Sequence, residues 1–157
     1  MSKFLRFNLK EHCYFVTSTT RDNIPIFFND ENTKLLCNCI YNFRNQGRYL
    51  LLGFVIMSTH FHALLVPQNG YNISQVMHSI KRSSSRLLVN KNQGKIWQIS
   101  FYEHVIRNTK QFYEKLDYIH NNPVKAGIVD RAEDYIFSSA NSKNETDIDK
   151  YWVGNRR

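Results

Sequence analysis

The sequence contains no aspartate or glutamate between Asn32 and Tyr102, although the chain of 157 residues carries 13 acidic side chains in all. The same stretch holds eight basic residues, as many as the chain's net charge of +8: Lys34, Arg44, Arg48, Lys81, Arg82, Arg86, Lys91 and Lys95. A long region with charge of one sign favours a polyanionic partner such as nucleic acid. The alternative is a solvated basic face that binds nothing.

Long apolar runs are missing as well. The longest, at 49–57, contains Gly53 and is far shorter than the roughly 20 residues required to cross a bilayer. The opening residues MSKFLR lack the apolar stretch of a secretion signal. Cysteine is scarce, and Cys13, Cys37 and Cys39 form no CxxC pair, which argues against a disulfide framework or a zinc ribbon. We therefore predict no membrane span, and reduced thiols in a cytoplasmic protein.

The apolar periodicity predicts four strands and three helices. The strands are expected at 13–20, 49–57, 60–67 and 101–107, and the helices at 29–45, 72–90 and 109–121. Pro123 is expected to prevent the third helix from continuing. The order β-α-β-β-α-β-α is the split βαβ, ferredoxin-like arrangement with one added helix. We therefore predict an α+β sandwich, an antiparallel sheet with helices on one face, plus a C-terminal helix.

The length of the chain is that of one ordinary domain, and we find no internal repeat or linker before the last ~20 residues. From Tyr135 onward the sequence is polar and rich in serine and asparagine, so this part is expected to be loose or peripheral. The predicted division is a domain at 1–140 and a polar tail at 141–157.

The first candidate site is the sequence His60-Phe61-His62 in the third predicted strand. Residues two apart in a strand lie on the same face, so the two imidazoles should project together while Phe61 packs on the opposite face. Two neutral imidazoles side by side are natural metal ligands. The alternative is two polar residues on a solvent-exposed sheet face.

The second candidate site is the end of the third helix, where Tyr118 and Asn122 are four residues apart and share a face. A tyrosine can act as a nucleophile on a metal-activated phosphate. The amide oxygen of Asn122 is a hard ligand that would complement two histidines around Mg²⁺ or Mn²⁺. The alternatives are a tyrosine that packs in the core and an asparagine that caps the helix before Pro123.

The third candidate is a basic and hydroxyl-rich stretch followed by aromatic residues. Cations and hydroxyls bind phosphates, and aromatic rings stack on unpaired bases. The candidate DNA contacts are Lys81, Arg82, Arg86, Lys95 and Trp97, together with Arg107 and Lys125 near the tyrosine helix. Tyr102 is a further aromatic candidate. The alternative is a solvated helix face.

Four blocks of the sequence together resemble one family. They are FVIMSTHFH at 54–62, WQ with FYEHVIR at 97–107, YIHNNPVKAGIV at 118–129 and YIFSSA at 135–140. In this order they resemble the REP-associated tyrosine transposases, a branch of the single-tyrosine HUH transposases, over about residues 14–140. The sequence departs from the pattern after Ala140, where relatives often carry an aromatic residue and this chain continues with Asn141.

The resemblance implies a role for each matching residue. His60 and His62 would be the metal ligands, with Asn122 as the third, and Tyr118 would attack single-stranded DNA to form a 5′-phosphotyrosine. Family members typically recognise hairpins of short palindromic repeats. They act as monomers or as homodimers with shared sites, and the sequence leaves both open.

Two other functions compete with this interpretation. One is a DNA-hairpin-binding protein that keeps the fold, either inactive or domesticated by the host; the other is a metal-dependent hydrolase that uses bound water. Tyr113 is the rival nucleophile, on a different helical face from Asn122. His104 and His120 also lie in the matching blocks, and we expect mainly structural roles for them.

Overall fold

Four strands form one antiparallel sheet in a computed structural model that describes residues 12–92 and 95–155. The strands are β1 (Cys13–Thr19), β2 (Tyr49–Ile56), β3 (His60–Pro67) and β4 (Tyr102–Ile106), in the spatial order β2-β3-β1-β4. All three pairs of neighbours are antiparallel. This order is that of the ferredoxin-like fold, and it confirms the predicted class.

Helices cover both faces of the sheet. Helices α1 (Asp30–Asn45) and α2 (Ile73–Asn92) pack on one face, and α3 (Thr109–Lys125) packs on the other. Each layer has its own apolar cluster, because alternate strand residues point to opposite faces. Leu36, Phe61 and Ile80 belong to the first cluster, and Phe15 and Leu116 to the second.

Helix α3 continues past the point where the sequence predicted its end. It includes Pro123 and ends at Lys125, so the expectation that Pro123 stops the helix is wrong. The end is set by Gly127, which has a φ of 77°. The N–H of Gly127 donates to the carbonyl of Val124, and the N–H of Ile128 donates to the carbonyl of Pro123. This pair of hydrogen bonds is a Schellman motif with glycine in its left-handed position. Asn122 therefore lies inside the helix and does not cap it.

The segment at 135–151 is peripheral, as one of the two expectations had it, but it is not loose. Backbone hydrogen bonds join it to β2: Ile56 N–H to the carbonyl of Phe137, Ser139 N–H to that of Phe54, and Asp147 N–H to that of Leu51. The chain thus covers the outer edge of β2. The boundary at residue 140 stays a prediction.

A buried ion pair fastens the same segment to α1. The carboxylate of Asp147 is 2% exposed, lies 2.7 Å from Nη2 of Arg44 and also accepts the N–H of Leu51 at 2.9 Å. These contacts hold the pKa of Asp147 below its usual value, although burial opposes them. A last helix, α4 (Ile148–Asn155), follows.

The described part of the chain contains no helix with the length and apolarity to cross a membrane. Its three cysteines are free, as predicted.

Candidate active site

The two histidines of β3 lie on the face of the sheet that α3 covers. Their ring centroids are 4.7 Å apart. Phe61, between them, is fully buried on the opposite face, where its ring meets that of Trp97 edge-on. The predicted alternation is confirmed, and His62 is only 4% exposed. The alternative of two histidines on an open sheet face is therefore wrong for His62.

Threonine hydroxyls orient both imidazoles. Thr17 of β1 pairs with His62 in the sheet register, and its Oγ1 lies 2.7 Å from Nδ1 of His62. Thr59, in the turn before β3, places Oγ1 3.1 Å from Nδ1 of His60. When Nδ1–H donates to a hydroxyl, the lone pair of Nε2 is left for a ligand. Nε2 of His62 is buried and has no hydrogen-bond partner within the described residues.

Both histidines are held neutral. Burial lowers the pKa of His60, and it lowers that of His62 to about 3 with the help of positive charge on His60 and Lys115. A neutral imidazole is the form that binds a metal ion. The orphaned Nε2 fits a metal ligand and is not expected of a histidine kept for packing. The low pKa follows mainly from burial and keeps the ring in the neutral form.

Tyr118 of α3 faces the histidines. Its ring centroid lies 5.3 Å from that of His62 and 6.1 Å from that of Phe15. The side chain is 47% exposed, so it is accessible from solvent. The interpretation of Tyr118 as a core residue is therefore wrong.

His60, His62 and Asn122 stay predicted metal ligands. Within the described residues no further histidine, cysteine or carboxylate joins the pair to make a group of three. Asn122 is half-buried and lies one helical turn after Tyr118 on the same face. Its amide oxygen is the type of ligand that Mg²⁺ and Mn²⁺ accept.

Tyr113 and His120 make contacts of their own, whereas His104 pairs with Phe15 on the same face of the sheet as the histidine pair. The ring of Tyr113 packs edge-on against Phe112, at 5.0 Å. Nε2 of His120 lies 2.8 Å from Oγ of Ser139, whose N–H donates to β2, so His120 has a structural role, as expected. His104 is half-buried on β4 opposite Phe15.

Two of the predicted DNA contacts, Trp97 and Lys81, make contacts within the protein instead. Trp97 is 5% exposed, stacks on Phe27 and donates its indole N–H to Oγ of Ser84. It is therefore not available as a platform for bases, whereas Tyr102 is 56% exposed beside Phe15. Nζ of Lys81 donates to the carbonyls of Gln98, Ile99 and Ser100, and it orders the loop before β4.

The remaining predicted contacts are exposed, but they lie on two layers. Arg82 and Arg86 line a groove on α2, in the layer opposite the histidines. Lys95 precedes β4, and Arg107 and Lys125 flank α3. The structure thus places Arg82 and Arg86 on the side of the sheet opposite the histidine face. All five residues remain predicted DNA contacts.

Sequence reasoning missed Thr17 and Lys115. Thr17 reaches His62 only through pairing of strands distant in sequence, which no local pattern indicates. Lys115 stands three residues before Tyr118, and that helical spacing was the signal available for it.

Comparison with known proteins agrees with this geometry. The family model described as "Transposase IS200 like" matches residues 6–122. A REP-associated tyrosine transposase of Escherichia coli is 29% identical over 140 residues, which is 88% of this chain and 82% of that protein. A Haemophilus influenzae protein to which the same name is provisionally given is 30% identical over 175 residues, covering 99% of this chain and 95% of that protein.

A solved structure of similar fold is a REP-associated tyrosine transposase bound to a REP hairpin. It superposes with a TM-score of 0.71 at 26% identity and covers 94% of this chain and 84% of that one. The family model spans most of the chain, and both the relatives and the fold agree with it. This chain belongs to the IS200-like transposases, among the REP-associated tyrosine transposases.

Proposed function

We propose that this transposase cuts and rejoins single-stranded DNA beside a hairpin, with Tyr118 as its nucleophile. One observation carries the proposal: a neutral, buried histidine with a free Nε2 lies with its ring 5.3 Å from that of a half-exposed tyrosine. Packing alone would not require an unsatisfied nitrogen at that place.

The metal in this proposal is Mg²⁺ or Mn²⁺, held by His60, His62 and Asn122. Such an ion would polarise the scissile phosphate and neutralise charge that develops on it. The chain's own part is to orient the two imidazoles through Thr17 and Thr59. The stacking of His62 on Phe15, with centroids 5.3 Å apart, restrains the ring further.

The covalent step exchanges one phosphoester for another. Oη of Tyr118 bonds to phosphorus while the bond from phosphorus to the 3′ oxygen breaks. The phenol proton leaves to solvent, and the 3′ oxygen takes a proton from solvent to become a hydroxyl. The 5′-phosphotyrosine keeps the energy of the broken ester, so the 3′-hydroxyl of the same or another strand can reverse the step without ATP.

The proposed substrate is a repeat-associated hairpin with a single-stranded flank. Two observations support it: the solved relative is bound to a REP hairpin, and this chain carries a net charge of +8. Arg82, Arg86, Lys95, Arg107 and Lys125 are the exposed candidates for contacts to the backbone of this DNA.

The test uses labelled oligonucleotides with the palindromic repeats that flank the gene, incubated with Mn²⁺ and separated on denaturing gels. The native protein should give a metal-dependent protein–DNA adduct that is lost in Tyr118→Phe. Tyr113→Phe is the matched control, because it removes the same hydroxyl from the same helix at 45% rather than 47% exposure. The control should form the adduct normally.

Other outcomes would contradict the proposal in different ways. Tight hairpin binding without adduct or cleavage would indicate a binding protein that has lost the chemistry. Cleavage without an adduct, unaffected by Tyr118→Phe, would indicate a hydrolase that uses metal-bound water. An adduct that survives in Tyr118→Phe but not in Tyr113→Phe would assign the nucleophile to the rival tyrosine.

A further inference from the structure

Lys115 is a cation beside the nucleophile that the proposed mechanism does not use. Its Nζ lies 4.7 Å from the ring centroid of Phe15 and 5.9 Å from that of Tyr118. Phe15 is the buried ring on which His62 stacks. The lysine, the tyrosine and the histidine therefore surround one aromatic ring on the α3 face of the sheet.

The charge of Lys115 has no partner in the part of the chain that the structure describes. None of the ion pairs among residues 12–92 and 95–155 includes it. On α3 the positions one turn away are Gln111, Phe112, Tyr118 and Ile119, none of them acidic. The field of the lysine instead reaches His62, whose pKa it helps to lower.

The surroundings of Lys115 hold its ammonium group close to the tyrosine. The side chain is half-buried, and solvent screens its charge less than it would at the surface. Two aromatic faces stabilise the ammonium and restrict where it points. A cation held in this way is preorganised for an anion that reaches the hydroxyl of Tyr118.

We propose that Lys115 is a catalytic residue that binds a non-bridging oxygen of the phosphate that Tyr118 attacks. The assignment rests on the proposed function, which supplies that phosphate. The lysine would hold the phosphodiester against the tyrosine in the ground state, and it would stabilise the charge that gathers on the phosphoryl oxygens during the displacement.

The phosphate contact is tested by binding without chemistry, in EDTA. A neutral methylphosphonate replaces each linkage of the hairpin's single-stranded flank in turn, and the affinity of each DNA is measured for the native protein and for Lys115→Gln. At one linkage we expect the methylphosphonate to lower the affinity of the native protein about fivefold, which corresponds to about 1 kcal/mol of binding free energy. Lys115→Gln should bind the unmodified DNA about fivefold more weakly than the native protein does. A methylphosphonate at that linkage should not weaken the binding of Lys115→Gln further.

A matched control and a salt titration sharpen the same experiment. Lys110→Gln removes an equal charge from an exposed position on α3. Its affinity should fall at the same methylphosphonate linkages as the affinity of the native protein. Lys115→Gln should lower the slope of log K against log salt by about 0.7, the value for one phosphate contact to a single strand. If no linkage couples to Lys115, or Lys110→Gln behaves in the same way, the assignment is overturned.

The rate of adduct formation gives the second readout. We expect Lys115→Gln to form the phosphotyrosine about 100-fold more slowly at saturating DNA, the effect of losing one preorganised charge at a developing oxyanion. Lys115→Arg should recover part of the rate, and a rate equal to that of the native protein in Lys115→Gln would overturn the catalytic role. If the native protein forms no adduct at all, the proposed function fails, while the binding series in EDTA still decides the phosphate contact.

Discussion

At the scale of single residues, the hydroxyl of Thr17 controls how His62 presents its free nitrogen. Replacing Thr17 with valine keeps the shape but removes the partner of Nδ1 at 2.7 Å. Loss of such a partner typically weakens metal binding about 10- to 100-fold. We therefore expect Thr17→Val to bind Mn²⁺ correspondingly more weakly in calorimetric titrations, and Thr17→Ser, which keeps the hydroxyl, to bind it nearly normally. Equal affinities for Thr17→Val and the native protein would contradict this.

The buried state of His62 makes the stability of the metal-free protein depend on pH. Its pKa is about 3 in the folded protein, against 6.5 for an ordinary histidine. Between these values the unfolded chain binds the extra proton, so stability is complete above the ordinary pKa and is lost as the pH falls towards 3. One such group contributes at most about 1.4 kcal/mol per pH unit.

The measurement is urea unfolding in EDTA at about pH 7 and about pH 5. The free energy of unfolding should fall less between them in His62→Asn than in the native protein. His78→Asn changes an exposed histidine and should follow the native protein. A native-like loss of stability in His62→Asn would show that another group causes the pH dependence.

At the scale of the element, the end of α3 depends on one glycine. Gly127 has a φ of 77°, and an added Cβ would meet nothing within 4 Å, so only backbone strain opposes a side chain there. We expect Gly127→Ala to lower the free energy of unfolding by about 1–2 kcal/mol. Gly127→Asn should lower the free energy of unfolding by less than Gly127→Ala, because asparagine tolerates the left-handed region better than alanine does. Chemical denaturation of the three proteins decides this, and an unchanged midpoint in Gly127→Ala would contradict it.

Periodicity predicted most elements because their apolar residues face a layer of the core at regular intervals. It failed at Pro123, which is buried in the last turn of α3 although proline supplies no backbone donor there. It also failed at 135–151, where Asp147 and Tyr135 hold the segment through individual hydrogen bonds and an ion pair to residues distant in sequence. Such bonds leave no repeating pattern in a sequence.

The candidate site followed the same division. The shared face of His60 and His62 is a consequence of strand geometry alone, and the spacing of Tyr118 and Asn122 follows from a helix turn. The contact between Tyr118 and His62 requires α3 to pack on the histidine face of β3, which depends on the whole fold. Trp97 was misjudged because an aromatic residue beside a basic stretch looks the same in sequence whether it is buried or exposed.

At the scale of the whole molecule, one chain carries both the histidines and the tyrosine that faces them. The contact between the rings of His62 and Tyr118 lies within a single copy. We therefore expect that a mixture of His62→Ala and Tyr118→Phe forms no adduct on denaturing gels, since neither copy holds a complete site. Recovery of the adduct in the mixture would show that copies exchange their tyrosine helices.

The covering of β2 by the segment at 135–151 also affects how the protein can be handled. Without that segment, the carbonyls of Leu51 and Phe54 and the N–H of Ile56 would lie open on the eight-residue apolar strand YLLLGFVI. Open strand edges recruit other edges and lead to aggregation. A chain shortened to residue 134 should therefore collect in inclusion bodies, and a fusion partner is better joined at the N-terminus than inserted between Tyr135 and Asp147.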